Sequence, residues 1–351
     1  MVSATVKKWF SYLSIGLTVQ IITACQLPTA ESKQSSNSKQ QTNLISLVRI
    51  EKDNTNQQFQ GEVYPIAFYV NGNYVDVSND ITLSIRNNLQ RQNSDKYTLS
   101  KFDRQKSFLN AIKDFTVVSD SGKIGNITVD NLEATQLSCS YFVAGKSQNQ
   151  QLLSEAFSKI PSDKPDNVTR QTYRSAIAIE NYNPNSTKKL EPSQADLNRY
   201  KQDLLTQAKT IISKSPETQN IQTSPDIVIE EFSVLDLDDD GNLEVFGKIR
   251  KTKANTPSQK SPYSGASPYI YLNLWLSYKN EQPQVISSKV SLNTFEDLTS
   301  AYGIFSVLDI NGDGVKEVVV KNFNFESITF SIYEYKNNQL EEVFTGFNSG
   351  C

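Results

Sequence analysis

One segment of this chain occurs twice, and its two copies constrain both the local fold and the local chemistry. Residues 232–245 read FSVLDLDDDGNLEV and residues 305–318 read FSVLDINGDGVKEV. Both carry the frame D-x-[DN]-x-D-G-x-x-E behind an identical Phe-Ser-Val-Leu. Carboxylates and amides at alternate positions, followed by a glycine, let one tight loop turn several oxygens onto a single point. Such a donor set suits a hard, oxygen-seeking cation such as Ca²⁺. The flanks are β-formers: Phe232–Leu235 and Phe305–Leu308 before the loops, Val245–Ile249 and Val318–Val320 after them. Each copy is therefore expected to run strand, cation loop, strand.

The loop is not an EF-hand. That motif ends on a bidentate Glu at its twelfth position, where this chain has Gly247 and Val320. Its acidic residue stands at position nine, as Glu244 and Glu317, and strands rather than helices follow. The pattern resembles the FG-GAP/VCBS type of repeat, a calcium-loop hairpin of integrin-type propellers and of many exported bacterial proteins. The resemblance covers residues 226–351. It implies one site from Asp236, Asp238, Asp240, the carbonyl of Asn242, and Glu244. A second would use Asp309, Asn311, Asp313, the carbonyl of Val315, and Glu317. The first, with one more carboxylate, is expected to bind Ca²⁺ more tightly. The competing reading is a pair of Asp/Asn/Gly turns that bind no ion. Against it stands the mutual repulsion of four close carboxylates in the first loop without a counter-ion.

The repetition continues beyond the loops. Tyr269–Tyr278 leads into Lys279-Asn280-Glu281-Gln282, and Ile328–Tyr335 leads into Lys336-Asn337-Asn338-Gln339. Each copy then amounts to about four short strands, the size of one propeller blade. Two copies fall short of a closed propeller, so a blade-like pair or a sandwich is expected. The Lys-, Ser- and Pro-rich stretch at 251–268 reads as an exposed insert. Upstream, Ile66–Val70, Asn71-Gly72 and Tyr74–Val77 form a hairpin signal, and Phe115–Val118 with Ile124–Val129 form another. Helices are expected near 103–113, over 147–160 and over 193–214. In the last, Leu197, Tyr200, Leu204, Ala208 and Ile211 make one stripe bracketed by Pro192 and Pro216. The fold class is mainly β with some α. Its expected parts are a β-rich N-terminal domain over 44–146, a helical connector over 147–225 and a repeat domain over 226–351.

The N-terminus points to export. Lys7 and Lys8 precede the apolar run 9–24, which ends in Ile22-Thr23-Ala24-Cys25. This resembles the lipobox of bacterial lipoproteins. It implies a signal peptide over 1–24, acylation of Cys25 and anchoring to a membrane of the cell envelope. The outer membrane, facing periplasm or surface, is favoured because Gln26 rather than Asp follows the cysteine. Residues 25–43 are polar and read as a disordered tether. Two cysteines are left, Cys139 and Cys351. They are one possible pair in an oxidising compartment, or two free thiols.

Composition excludes much chemistry. The chain has no histidine and a formal net charge of −3. That removes His-based triads, His-ligated zinc and His general acid–base work. Neither nucleotide fingerprint is present, and no basic face suggests nucleic acid. The chain is accordingly expected to be a binding or adhesion module of the envelope rather than an enzyme, its partner an envelope protein, peptide or glycan. The alternatives are a carboxylate-dependent envelope hydrolase and a purely structural lipoprotein. Mass spectrometry of the protein taken from its envelope tests the export reading. The expected result is an acylated Cys25 N-terminus and a cross-linked Cys139–Cys351 peptide. An intact leader, or two alkylatable thiols, refutes the corresponding expectation.

Overall fold

The computed structural model describes residues 43–76, 113–119, 122–137, 140–161, 171–180, 182, 190–218, 223–253, 269–279, 281–293, 302–324 and 327–350. The leader, Cys25, Cys139, Cys351, the tether except Asn43, nearly all of the 103–113 helix and most of the 251–268 insert lie outside these residues.

The chain is mainly β, with two α-helices and three antiparallel sheets among the described residues. Sheet I contains β1 (Asn43–Asp53), β2 (Phe59–Val70), β3 (Asn73–Asp76), β4 (Asp114–Ser119), β5 (Gly122–Thr128), β6 (Asn131–Leu137), β7 (Ser140–Ser147) and β8 (Gln171–Glu180). Their order is β5-β4-β8-β1-β2-β7-β6, with β3 also on β2. Both expected hairpins form. Asn71 and Gly72 take the positive φ of 53° and 78° that a two-residue turn of this kind requires. Strand β8 was not foreseen. It lies inside the stretch read as a helical connector, yet it pairs with both β1 and β4. Its Ala176-Ile177-Ala178-Ile179 run is apolar on both faces, which hides the alternation that marks a half-exposed strand.

Alternation along β1 divides sheet I between two cores. Leu44, Val48 and Ile50 face α1 (Gln150–Lys159), joining its Leu153, Ala156 and Phe157. Ile45 and Leu47 face the other way. In β2 the register slips, so that Ile66 is left without a partner on β1. This bulge lets both Ile66 and Ala67 face the second core.

The repeats form two meanders. Sheet II is β9 (Thr223–Leu235), β10 (Glu244–Lys253), β11 (Tyr269–Lys279) and β12 (Gln282–Asn293). Sheet III is β13 (Gly303–Leu308), β14 (Glu317–Asn324), β15 (Ser327–Lys336) and β16 (Gln339–Gly350). Sheet III is covered on both faces. Val319, Phe330, Ile332 and Phe347 join the core of sheet I. Val318, Val320 and Tyr333 join Phe246 and Trp275 of sheet II. Tyr302 sits in that second seam, where its hydroxyl accepts from Trp275 Nε1 at 3.0 Å and its carbonyl accepts from Asn273 Nδ2 at 2.7 Å.

The outer face of sheet II carries α2 (Gln194–Lys214). Ser193 caps the helix through a bond from Asp196 N–H, and Pro216 opens a 3₁₀ turn just past its end. The buried stripe is Tyr200, Leu204, Ala208 and Ile212. Leu197 and Ile211 are only half-buried, because the contact follows a strict four-residue row to its end. The helix approaches closely at Gly247, where an added Cβ would stand 2.9 Å from Leu204 Cδ1. The layers thus run α1, sheet I, sheet III, sheet II, α2, and residues 40–351 make one compact unit. No described helix is long and apolar enough to cross a membrane. Leu204→Ala empties a fully buried site and is expected to cost ~2–5 kcal/mol. Urea unfolding followed by tryptophan fluorescence would report it.

Candidate metal centre

The repeated segments fold alike. Each loop is closed by a Leu–Glu strand pair, Leu235 with Glu244 and Leu308 with Glu317. The first aspartate accepts from the sixth residue: Asp236 from Gly241 N–H at 3.2 Å, Asp309 from Gly314 N–H at 3.1 Å. The third side chain accepts from the fifth N–H: Asp238 from Asp240, Asn311 from Asp313. The fifth accepts from the seventh: Asp240 from Asn242, Asp313 from Val315. The ninth folds back onto the second: Glu244 onto Leu237 N–H at 3.0 Å, Glu317 onto Ile310 N–H at 2.6 Å. Gly241 and Gly314 take φ values of 86° and 92°, where a β-carbon would be strained.

Their electrostatics differ. In the first loop Asp236, Asp238 and Glu244 can each bring a carboxylate oxygen within 4.8 Å of the others. Among the described residues no other acidic trio does so. Asp236 Oδ1 is buried and accepts no hydrogen bond. Glu244 is 1% exposed, and its second oxygen accepts from Ser277 Oγ at 3.1 Å. Burial, with Asp238 and Asp236 nearby, pushes its carboxyl up to about 7. Burial also raises Asp236 and Asp238, assisted by their acidic neighbours. Asp240, also expected as a ligand, accepts both the backbone N–H and the side-chain amide of Asn242, at 2.7 Å each. Burial opposes that carboxylate, yet the Asn242 donors hold it below its usual range.

The second loop neutralises itself further. Asn311 stands where the first loop has Asp238, and its amide donates to Asp313 Oδ2 at 3.0 Å. Glu317 is buried as deeply as Glu244. Burial, with Asp313 and Asp309, pushes its carboxyl up to about 8. Asn242 and Val315 occupy the seventh position in their respective loops.

One residue that links the two loops escaped the sequence reading. Lys316 reaches from the second loop into the first, its Nζ 2.6 Å from both Asp236 O and Asp239 Oδ1. Its N–H also donates to Leu237 O at 2.7 Å. The matching carbonyl of the second loop, Ile310 O, receives Asn43 Nδ2 of sheet I at 3.1 Å. Alignment of the two copies carries the signal, since Lys316 falls where the first has apolar Leu243.

The donors of the first loop fit a divalent cation of the Ca²⁺ class. All are hard oxygens, one is buried without a partner, and their crowding raises carboxyls that a cation would ionise. The Glu317 carboxyl also has a purely structural duty. Glu317→Ala strands the buried Ile310 N–H and is expected to cost ~1–3 kcal/mol in chelator, whereas Glu317→Gln keeps an acceptor and most of that stability. Equal melting temperatures for the two variants would refute that duty. No known protein family, no characterised protein and no solved structure matches this chain.

Proposed function

We propose that this protein is a lipid-anchored, exported binding module whose β-repeats are stiffened by Ca²⁺ in the FG-GAP/VCBS manner. The observation that carries the reading is the carboxylate trio of the first loop, with Asp236 Oδ1 buried and unpartnered. Asp236, Asp238 and Glu244 would hold the ion, and neutralising them is the chemistry it supplies. The second loop is the weaker site, because Asn311 replaces a carboxylate and already serves Asp313. Export and anchoring rest on the Cys25 lipobox.

The hydrolase alternative loses support at Glu244. A carboxyl pushed up to about 7 has the proton affinity of a general acid. It is nevertheless 1% exposed, and both oxygens are engaged inside the protein.

Calorimetry and thermal melts on chelator-stripped protein test the reading. Ca²⁺ at a hundredfold excess over Kd is expected to add ~2.7 kcal/mol for a single site that binds only the folded state. Asp236→Asn should remove most of that gain, and Asp309→Asn much less. An unchanged melting temperature with millimolar Ca²⁺, and no heat of binding, would leave the loops as plain turns.

A further inference from the structure

The two loops meet one backbone requirement by different means. Their fourth residue is left-handed in both, at φ 54° for Asp239 and 76° for Gly312. Gly312 adopts that conformation without strain, because it lacks a β-carbon. Asp239 carries one, and a left-handed residue other than glycine persists only where its surroundings hold it.

Lys316 of the second repeat supplies the hold. Its Nζ lies 2.6 Å from Asp236 O, at the first position, and 2.6 Å from Asp239 Oδ1, at the fourth. Its backbone N–H donates to Leu237 O, at the second position, at 2.7 Å. Three points along the first half of the loop are thus tied to sheet III, and they bracket Asp236 and Asp238 of the carboxylate trio. The lysine side chain is 10% exposed and that of Asp239 is 59% exposed. The lysine is therefore fixed by the packed layers, and the loop tip is what it restrains. The second loop, with Gly312 at position four, needs no such partner. In the first copy the residue aligned with Lys316 is the apolar Leu243.

An ammonium beside a cation site can also act as a rival cation. The geometry favours the other role. Among the described residues Lys316 pairs with Asp239 and with no carboxylate of the trio. Asp236 Oδ1 accepts from no donor, and Asp236 Oδ2 accepts from Gly241 N–H. The lysine charge does reach Asp236: burial raises that carboxyl, while the Gly241 N–H and Lys316 oppose the rise. That charge disfavours a second cation, so a contribution toward binding must come through the shape of the turn.

We infer that Lys316 is a positioning residue for the cation site of the neighbouring repeat, holding Asp239 left-handed so that Asp236 and Asp238 are turned toward Glu244 before the ion arrives. Such preorganisation removes the cost of ordering the loop on binding. The inference rests on the cation reading of the first loop.

Calorimetry with CaCl₂ on the full, chelator-stripped protein tests it, read at the tighter step. Asp239→Ala loses the lysine bond and keeps the β-carbon, and is expected to weaken Ca²⁺ binding about tenfold. Asp239→Gly loses the same bond without the strain, and should bind within about twofold of wild type. Lys316→Met should weaken binding as Asp239→Ala does, and adding Asp239→Gly to it should restore the affinity. The Asp239 pair alters an exposed side chain and stays readable even if Lys316→Met unfolds. Equal affinities for Asp239→Ala and Asp239→Gly overturn the inference. So does Lys316→Met binding as tightly as wild type or more tightly, the result that a rival cation would give. Either outcome leaves the proposed function standing. A wild type that binds no Ca²⁺ overturns the proposed function, and this inference with it.

Discussion

The structure depends on the burial of sheet III on both faces. A sheet flanked by solvent can alternate apolar and polar residues, but a sheet between two others has no polar face to offer. Val318-Val319-Val320 obeys this constraint: the outer two valines turn to sheet II and the middle one to sheet I. Both helices are thereby displaced to the ends of the stack, each covering the one face its neighbouring sheet has left. Two donors in the seam between sheets II and III are matched, Asn273 Nδ2 by Tyr302 O and Trp275 Nε1 by Tyr302 Oη, while Asn273 Oδ1 has no partner. An unmatched donor there would be costly.

The same stacking sets the loops against their neighbours. The second residue of each loop is fully buried, Leu237 between sheets II and III and Ile310 between sheets III and I. Each buried carbonyl is capped by the next layer, Leu237 O by Lys316 N–H and Ile310 O by Asn43 Nδ2. The loops are thus anchored at one end while their tips stay exposed. That combination suits a site that must hold several like charges without collapsing onto itself.

Two loops with one hydrogen-bond pattern can still differ in charge, because the pattern uses only some of the side chains. Position three accepts the same backbone N–H whether it is Asp238 or Asn311. The amide of Asn311 can also donate to Asp313, which a carboxylate cannot do. Position four requires left-handed backbone, supplied by Gly312 in one loop and by Asp239 in the other. Asp239 accepts that conformation while pairing with Lys316. The copies therefore share geometry and divide on electrostatics, and the first keeps the uncompensated carboxylates.

Periodicity and repetition, which are local properties, carried much of this protein on the page. The strand–loop–strand units, the Asn-Gly hairpin, the amide-tipped turn at Asn337-Asn338 and the long helix all follow from short-range backbone preference and spacing. So does the order of oxygen donors along each loop. Strand β8 did not follow, because a strand covered on both faces lacks the alternation that betrays it. The double bond from Asn242 to Asp240 did not follow either, since spacing says which side chains are near but not which donor each prefers. The sequence by itself determined two loops of like geometry and the order of oxygen donors along each. Tertiary structure alone decided that Glu244 would be buried, that Asp236 Oδ1 would lack a donor, and that Lys316 of one repeat would serve the other. Burial and long-range contact depend on which layer lies against which, and no local pattern encodes that.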